Sequence, residues 1–241
     1  GIDYALNPDL EGLTSLEIMD KVIDYAGDKG LKILLDNHRT FPGDGPNANG
    51  LWYDGDFTED DWVAMWRDLA ERWGDEPAVI GADLVNEPHG ASWDQWATAA
   101  ERAGNAVLAV EPDWLVFVEG VGAYEGDPYW WGGSLKGVRD RPVELDVADK
   151  LVYSPHDYPA SVFPQPWFFD GSDLAAVFRE QWGFIHEEGI APVVIGEMGS
   201  RLETDVDRAW ANAIVDYIEG DYDGDGTRDP GASAARPGFA W

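Results

Sequence analysis

A chain of 241 residues with 44% hydrophobic content is long enough to bury a large core as one domain, 1–241, and α/β barrels commonly reach this size. Its 47 acidic against 16 basic residues leave a net charge of −31, which repels nucleic acid and anionic membranes and fits a neutral substrate or a high-salt habitat. With no cysteine there is neither a disulfide framework nor a thiolate metal site, and no apolar run approaches the ~20 residues of a membrane span. In chain order, helical spacing predicts a helix over 15–27 and an apolar run predicts a strand over 31–36. A helix over 58–73 follows, opened by the capping-box-like Thr58-Glu59-Asp60-Asp61, then a strand over 79–84 and a helix over 93–110. Strands over 115–118, 151–154 and 192–196 alternate with helices over 174–188 and 206–218, and 239–241 opens a further strand.

Strands recurring every ~36–48 residues with helices between them give the rhythm of βα units. No Gly-x-Gly-x-x-Gly follows any strand, so a dinucleotide-binding sheet is disfavoured. Instead, strand after strand ends in polar residues: Asp36-Asn37-His38-Arg39, Asn86-Glu87, Glu119, His156-Asp157-Tyr158 and Glu197. Active sites of (β/α)8 barrels are built at those C-terminal strand ends, so a barrel is expected. Two glutamates after apolar runs, in Leu84-Val85-Asn86-Glu87-Pro88 and Ile195-Gly196-Glu197, are the minimal equipment for cleaving a glycosidic bond.

Together these motifs resemble glycoside hydrolase family 5, the cellulase family, in its endo-β-1,4-glucanase branch. The likeness is carried by Asp36-x-His38-Arg39, Asn86-Glu87-Pro88, His156-x-Tyr158 and Gly196-Glu197 in this order. It extends through Ala100 to Leu108, Val118-Glu119-Gly120-Val121 and Tyr129-Trp130-Trp131-Gly132-Gly133. The resemblance implies a retaining mechanism with Glu87 as acid and base and Glu197 as nucleophile, needing no catalytic cofactor. It further implies that Tyr158 donates to Glu197, that His156 lies beside the acid, that Asn86 binds the sugar 2-hydroxyl, and that His38 lines the glycone side. It also implies extracellular action on a β-1,4-glucan by a monomeric catalytic domain, without nucleic-acid or membrane partners. Matched to the family pattern, the chain covers about strands 3 to 7 plus the start of 8, so an incomplete barrel is expected, lacking an arginine near the nucleophile and a tryptophan beneath the sugar. A β-mannanase or xyloglucanase shares both glutamates, and a non-catalytic carbohydrate-binding relative shares the aromatics.

Each residue also has a structural reading. A glutamate at a strand end is usually a solvated loop residue, and His38 and His156 alone would read as structural histidines. Arg39 is expected to brace carboxylates, Glu119 to join a structural network, and His89 and His186 to lie on the surface or in loops. Of thirteen tryptophans, Trp52, Trp130, Trp131 and Trp167 fall between elements and are expected to stack on pyranose faces, whereas Trp62, Trp66, Trp73, Trp93 and Trp96 are core candidates. The loop Asp221-Tyr222-Asp223-Gly224-Asp225-Gly226-Thr227-Arg228-Asp229 places oxygens at positions 1, 3, 5, 7 and 9 of a Ca²⁺ loop, with Ala232 where the bidentate glutamate belongs. Structural Ca²⁺ and a merely solvated acidic turn are both open. The acidic excess, spread along the chain with lysine only at 21, 29, 32, 136 and 150, suits a salt-adapted source better than an ordinary acidic secreted protein.

Overall fold

The computed structural model describes residues 2–229. Helix α1 (Ser15–Asp28), α2 (Glu59–Trp73) and α3 (Trp93–Leu108) each begin at a full capping box, on Thr14/Glu17, Thr58/Asp61 and Ser92/Gln95. In each box two backbone N–H groups that the helix leaves unpaired are taken up by side chains. Strands β1 (Ile33–Asp36), β2 (Val79–Asp83) and β3 (Leu115–Val118) lie between and after these helices. A short hairpin, β4 (Ala123–Tyr124) with β5 (Asp127–Pro128), precedes β6 (Leu151–Tyr153) and β7 (His156–Asp157).

Parallel pairing runs β1-β2-β3-β6 in chain order. It continues through the parallel bridge of Tyr153 to Val193 and the parallel pair of β7 with β8 (Glu197–Met198). Neighbours in sequence are thus neighbours in space, the succession of a (β/α) barrel wall. Among the described residues the wall is an open arc of a barrel, without closure. At Gly81 the β2 backbone passes so close to the Leu115 carbonyl of β3 that a Cβ would collide with it.

The expected helix over 174–188 is present but broken into α4 (Leu174–Phe178), a π-helical stretch (Arg179–Gly183) and α5 (Phe184–Glu187). The π stretch frees the Gln181 carbonyl to accept the Leu135 N–H at 2.9 Å, a bond from the helix layer into the long loop before β6. Helix α6 (Asp205–Glu219) closes the described elements and ends on Gly220 in the left-handed conformation. The expected strand over 239–241 lies outside the described residues.

The core between sheet and helices is built from indoles. Trp62 and Trp66 of α2 both donate to the Leu84 carbonyl, at 3.2 and 3.0 Å, and Trp96 of α3 donates to the Glu119 carbonyl at 2.8 Å. Each ring therefore fills core volume and fastens a helix to the C-terminal end of a strand. Those ends carry the polar cluster described next.

Candidate active site

Parallel pairing aims one end of every strand at the same place. There His156, 2% exposed and opposite Glu197 in register, is the centre of a carboxylate cluster. Its Nδ1 lies 3.2 Å from Glu87 Oε1 and 3.7 Å from Glu197 Oε2, and its Nε2 lies 3.3 Å from Glu119 Oε1. A neutral imidazole has one N–H and would turn a lone pair toward a carboxylate at its other nitrogen; the imidazolium satisfies both sides. Burial alone would push the ring's pKa down, but the charges of Glu119 and Glu197 and the hydrogen bonds to Glu119 and Glu87 raise it well above the ordinary range. Because Glu87 and Glu197 share one ring nitrogen, their oxygens lie closer than those two distances laid end to end.

Glu119 is the deepest of these carboxylates, 1% exposed; burial raises its pKa to about 7 against the opposing pull of His156. Asp83 lies beside it at the end of β2, raised well above the usual range by burial and then by Glu119's charge. Its buried Oδ1 has no hydrogen-bond partner, so burial weighs fully against the charged form. The Tyr158 hydroxyl donates to Glu197 Oε1; burial and that bond hold its pKa far above the ordinary tyrosine range, keeping it a donor. Asn86 is buried, and its backbone N–H donates to the Asn37 backbone carbonyl at 3.1 Å, joining the ends of β1 and β2. His38 stands half-exposed on Asp36, 2.8 Å away, at the rim. Glu87 has φ of +50°, a left-handed conformation that costs an ordinary residue ~1–2 kcal/mol.

Beside Glu87 opens a cleft of about 660 Å³ lined by Trp130, Trp131, Tyr158, Phe163 and Pro166 among others. Trp131 is half-exposed and lies flat on His89, with ring centroids 3.8 Å apart and planes 8° from parallel. Trp130 stands edge-on to Tyr158 at 5.8 Å and is otherwise buried. With Glu87 in its lining and Glu197 bonded to the lining Tyr158, this aromatic-walled cleft is equipped for acid-assisted displacement at a sugar carbon.

Comparison with known proteins agrees with this geometry. The family profile described as Cellulase (glycosyl hydrolase family 5) matches residues 2–226. The chain belongs to glycosyl hydrolase family 5. It is 48% identical over 235 residues to an endoglucanase of Paenibacillus polymyxa, covering 90% of this chain and 58% of that protein. It is 38% identical over 233 residues to the major extracellular endoglucanase of Xanthomonas campestris pv. campestris, covering 90% of this chain and 47% of that one. The hyperthermophilic endocellulase of the archaeon Pyrococcus horikoshii superposes with a TM-score of 0.82 at 40% identity, covering 90% of this chain and 66% of that structure. That endocellulase has also been solved in complex with cellotetraose. The chain therefore spans about half to two thirds of these family 5 relatives.

Several expectations for this family 5 chain are corrected by its structure. Trp52 is not a stacking platform: it is 3% exposed and packed on Trp62 and Trp96, with centroids 5.9 and 5.2 Å away. Trp167 backs the cleft wall rather than lining it, stacked on Tyr129 at 4.9 Å. Arg39 braces a loop and not a carboxylate, donating to the Asp44 carbonyl at 2.6 Å. His89 does lie in a loop, as expected, where it stacks on Trp131 and its Nδ1 contacts the Glu87 carbonyl at 2.8 Å. His186 is buried in α5 and not on the surface. Asp83 escaped the sequence reading; the one signal was an acid inside the buried-type run Val79-Ile80-Gly81-Ala82-Asp83-Leu84.

Away from the cleft, Asp221, Asp223 and Asp225 bring carboxylate oxygens within 4.8 Å of one another. Asp229 does not join them. The Thr227 hydroxyl donates to Asp225 at 2.5 Å, and Asp229 Oδ2 accepts the Tyr222 amide at 2.7 Å. Ala232 lies outside the described residues.

Proposed function

We propose that the protein is a retaining endo-β-1,4-glucanase, hydrolysing internal glucosidic bonds by double displacement. The observation that carries the reading is the sharing of His156 Nδ1 by Glu87 and Glu197, with Tyr158 donating to Glu197 alone. The two carboxyls are thus given unlike partners, as acid and nucleophile require. Glu197 attacks the anomeric carbon as the glycosidic C–O bond breaks, and the Glu87 proton passes to the leaving oxygen. Water then enters, gives its proton to Glu87, and releases Glu197 from the sugar. Tyr158 orients the nucleophile. Asn86 holds the 2-hydroxyl, where a hydrogen bond strengthens as charge develops on the ring. His38 bounds the glycone side, Trp130 and Trp131 present rings to the leaving portion, and catalysis draws on no cofactor. A β-mannanase or xyloglucanase uses the same two carboxyls with other cleft contacts. Incubation with carboxymethylcellulose, mannan and xyloglucan, with chain-length analysis of the products, tests the reading. Rapid viscosity loss on carboxymethylcellulose is expected, and cleavage of mannan or xyloglucan alone would replace the glucanase assignment.

The same reading makes the chain part of one monomeric catalytic domain acting outside the cell on an insoluble polymer. Among the described residues no helix is long and apolar enough to cross a membrane. The net charge of −31 supports a salt-adapted source, because the Debye length shrinks from ~10 Å at 0.1 M to ~3 Å at 1 M salt and self-repulsion shrinks with it. The Asp221, Asp223 and Asp225 cluster in a loop of Ca²⁺-binding spacing supports structural Ca²⁺. Thermal midpoints measured in separate NaCl and CaCl₂ titrations test both. The midpoint is expected to rise toward molar NaCl, and to rise at millimolar CaCl₂ but not at equal ionic strength of NaCl; flat responses would remove either idea.

A further inference from the structure

Glu119 leaves the end of β3 with both carboxylate oxygens committed. Oε2 accepts the Glu87 backbone N–H at 2.7 Å, and Oε1 meets His156 Nε2 at 3.3 Å. Through the other ring nitrogen His156 reaches the Glu87 carboxylate at 3.2 Å. A closed circuit therefore runs from the Glu87 amide through Glu119 and His156 back to the Glu87 side chain. The circuit matters because Glu87 sits at φ of +50°, where a residue with a long side chain does not rest unaided. Space enforces the arrangement as well. Gly132, at φ of +70°, lies against Glu119 Oε2, the Glu87 side chain and the His156 ring, and a Cβ there would press on all three.

We propose that Glu119 is a positioning residue for Glu87, fixing the acid's backbone with one oxygen and its carboxyl, through His156, with the other. This rests on the assignment of Glu87 as the acid. Only a carboxylate can accept at both ends. With glutamine at 119, the amide oxygen can keep the Glu87 N–H, but the NH₂ then faces His156 Nε2 and demands a lone pair there. The ring would be left neutral, with its remaining proton on Nδ1. The groups facing that ring are Glu87 and Glu197 at Nδ1 and Glu119 at Nε2, with Asp36 of β1 and Asp83 of β2 within electrostatic reach and Tyr158 acting through Glu197. Glutamine thus changes the ring charge while keeping the shape, whereas alanine opens the circuit.

The test compares Glu119→Ala, Glu119→Gln and Glu87→Ala on two substrates. Cellotetraose needs a proton on its leaving oxygen, and 2,4-dinitrophenyl cellobioside does not. Glu119→Ala is expected to lose about a hundredfold in kcat on cellotetraose, the cost of a misplaced catalytic group, with under about tenfold loss of the glycosylation rate on the aryl substrate. Glu119→Gln is expected to keep more of the cellotetraose activity, while the His156 ring, followed by nuclear magnetic resonance, titrates at lower pH than in the parent. Equal losses on both substrates in Glu119→Ala, or a lowered thermal midpoint with unchanged kinetics, would overturn the positioning role. If Glu119→Ala does not fold, Glu119→Gln decides: an unmoved His156 titration with unmoved leaving-group dependence overturns it. The Glu87→Ala control separates the two readings. Equal losses there overturn the acid assignment and this proposal with it, and selective loss there without selective loss in Glu119→Ala overturns the positioning role alone.

Discussion

Glu197→Ala is expected to lose on the order of 10⁵ in kcat on every glycoside, about 7 kcal/mol of transition-state stabilisation, whereas Glu87→Ala is expected to lose activity selectively. The difference follows from the bond each residue makes. Without Glu197 nothing occupies the position from which the anomeric carbon is attacked, and no leaving group compensates. Without Glu87 the missing element is a proton, worth ~10²–10⁴ in rate where the leaving oxygen needs one and little where it departs as a dinitrophenolate. The first half-reaction therefore survives on the aryl cellobioside in Glu87→Ala, but the glycosyl-enzyme lacks a base to activate water and accumulates. Azide, which needs no base, should enter the space left by the carboxyl and attack the anomeric carbon, expelling Glu197 and giving a β-glycosyl azide. Steady-state rates with and without azide, with mass spectrometry of the intact protein, check the assignment. Azide rescue in Glu197→Ala in place of Glu87→Ala would exchange the two roles.

The parts of this site legible in sequence are those that a strand end alone determines. Asn86-Glu87, His156, Tyr158 and Glu197 are polar residues at the ends of apolar runs, and parallel pairing in chain order brings those ends together. Glu119 was visible for the same reason. Which partner it holds was not, because the Glu87 N–H becomes available only through a backbone turn at positive φ. Trp52 shows a second limit. Between β1 and α2 an indole in a loop reads as exposed, yet this loop folds back so that the ring covers Trp62 and Trp96, and burying it there removes its apolar area from water. Asp83 and the π stretch of 179–183 carry no periodic signature, since each is set by neighbours distant in sequence.

Asp157→Ala is expected to destabilise the protein by about 4 kcal/mol, and by more at pH 5 than at pH 7.5. Strand alternation turns His156 and Tyr158 toward the cleft and sends Asp157 between them into the helix layer. There its carboxyl, 1% exposed, accepts from the Tyr129 hydroxyl at 2.5 Å, Trp210 Nε1 at 2.8 Å and Trp182 Nε1 at 3.2 Å. The hairpin loop, α6 and the π stretch are thus tied to the strand that presents His156. Alanine leaves these donors without their acceptor, at ~1–3 kcal/mol for each that finds no substitute. Burial pushes the Asp157 pKa up to about 6 against those hydrogen bonds, well above the ordinary aspartate range. A folded-state value above the unfolded one means that the native protein binds the proton more tightly. The associated stability is full below about pH 4 and is lost as the pH rises through about 6. Alanine does not titrate, so the gap between parent and variant should be wider at pH 5 than at pH 7.5 by about 1 kcal/mol. Urea unfolding of both proteins at the two pH values reads the gap directly, and subtraction cancels the many other carboxylates. A gap that widens with rising pH would mean that the three donors outweigh burial and hold Asp157 ionised throughout. Activity should fall with stability still in hand at pH 5, because the chain segment freed by the substitution carries both His156 and Tyr158.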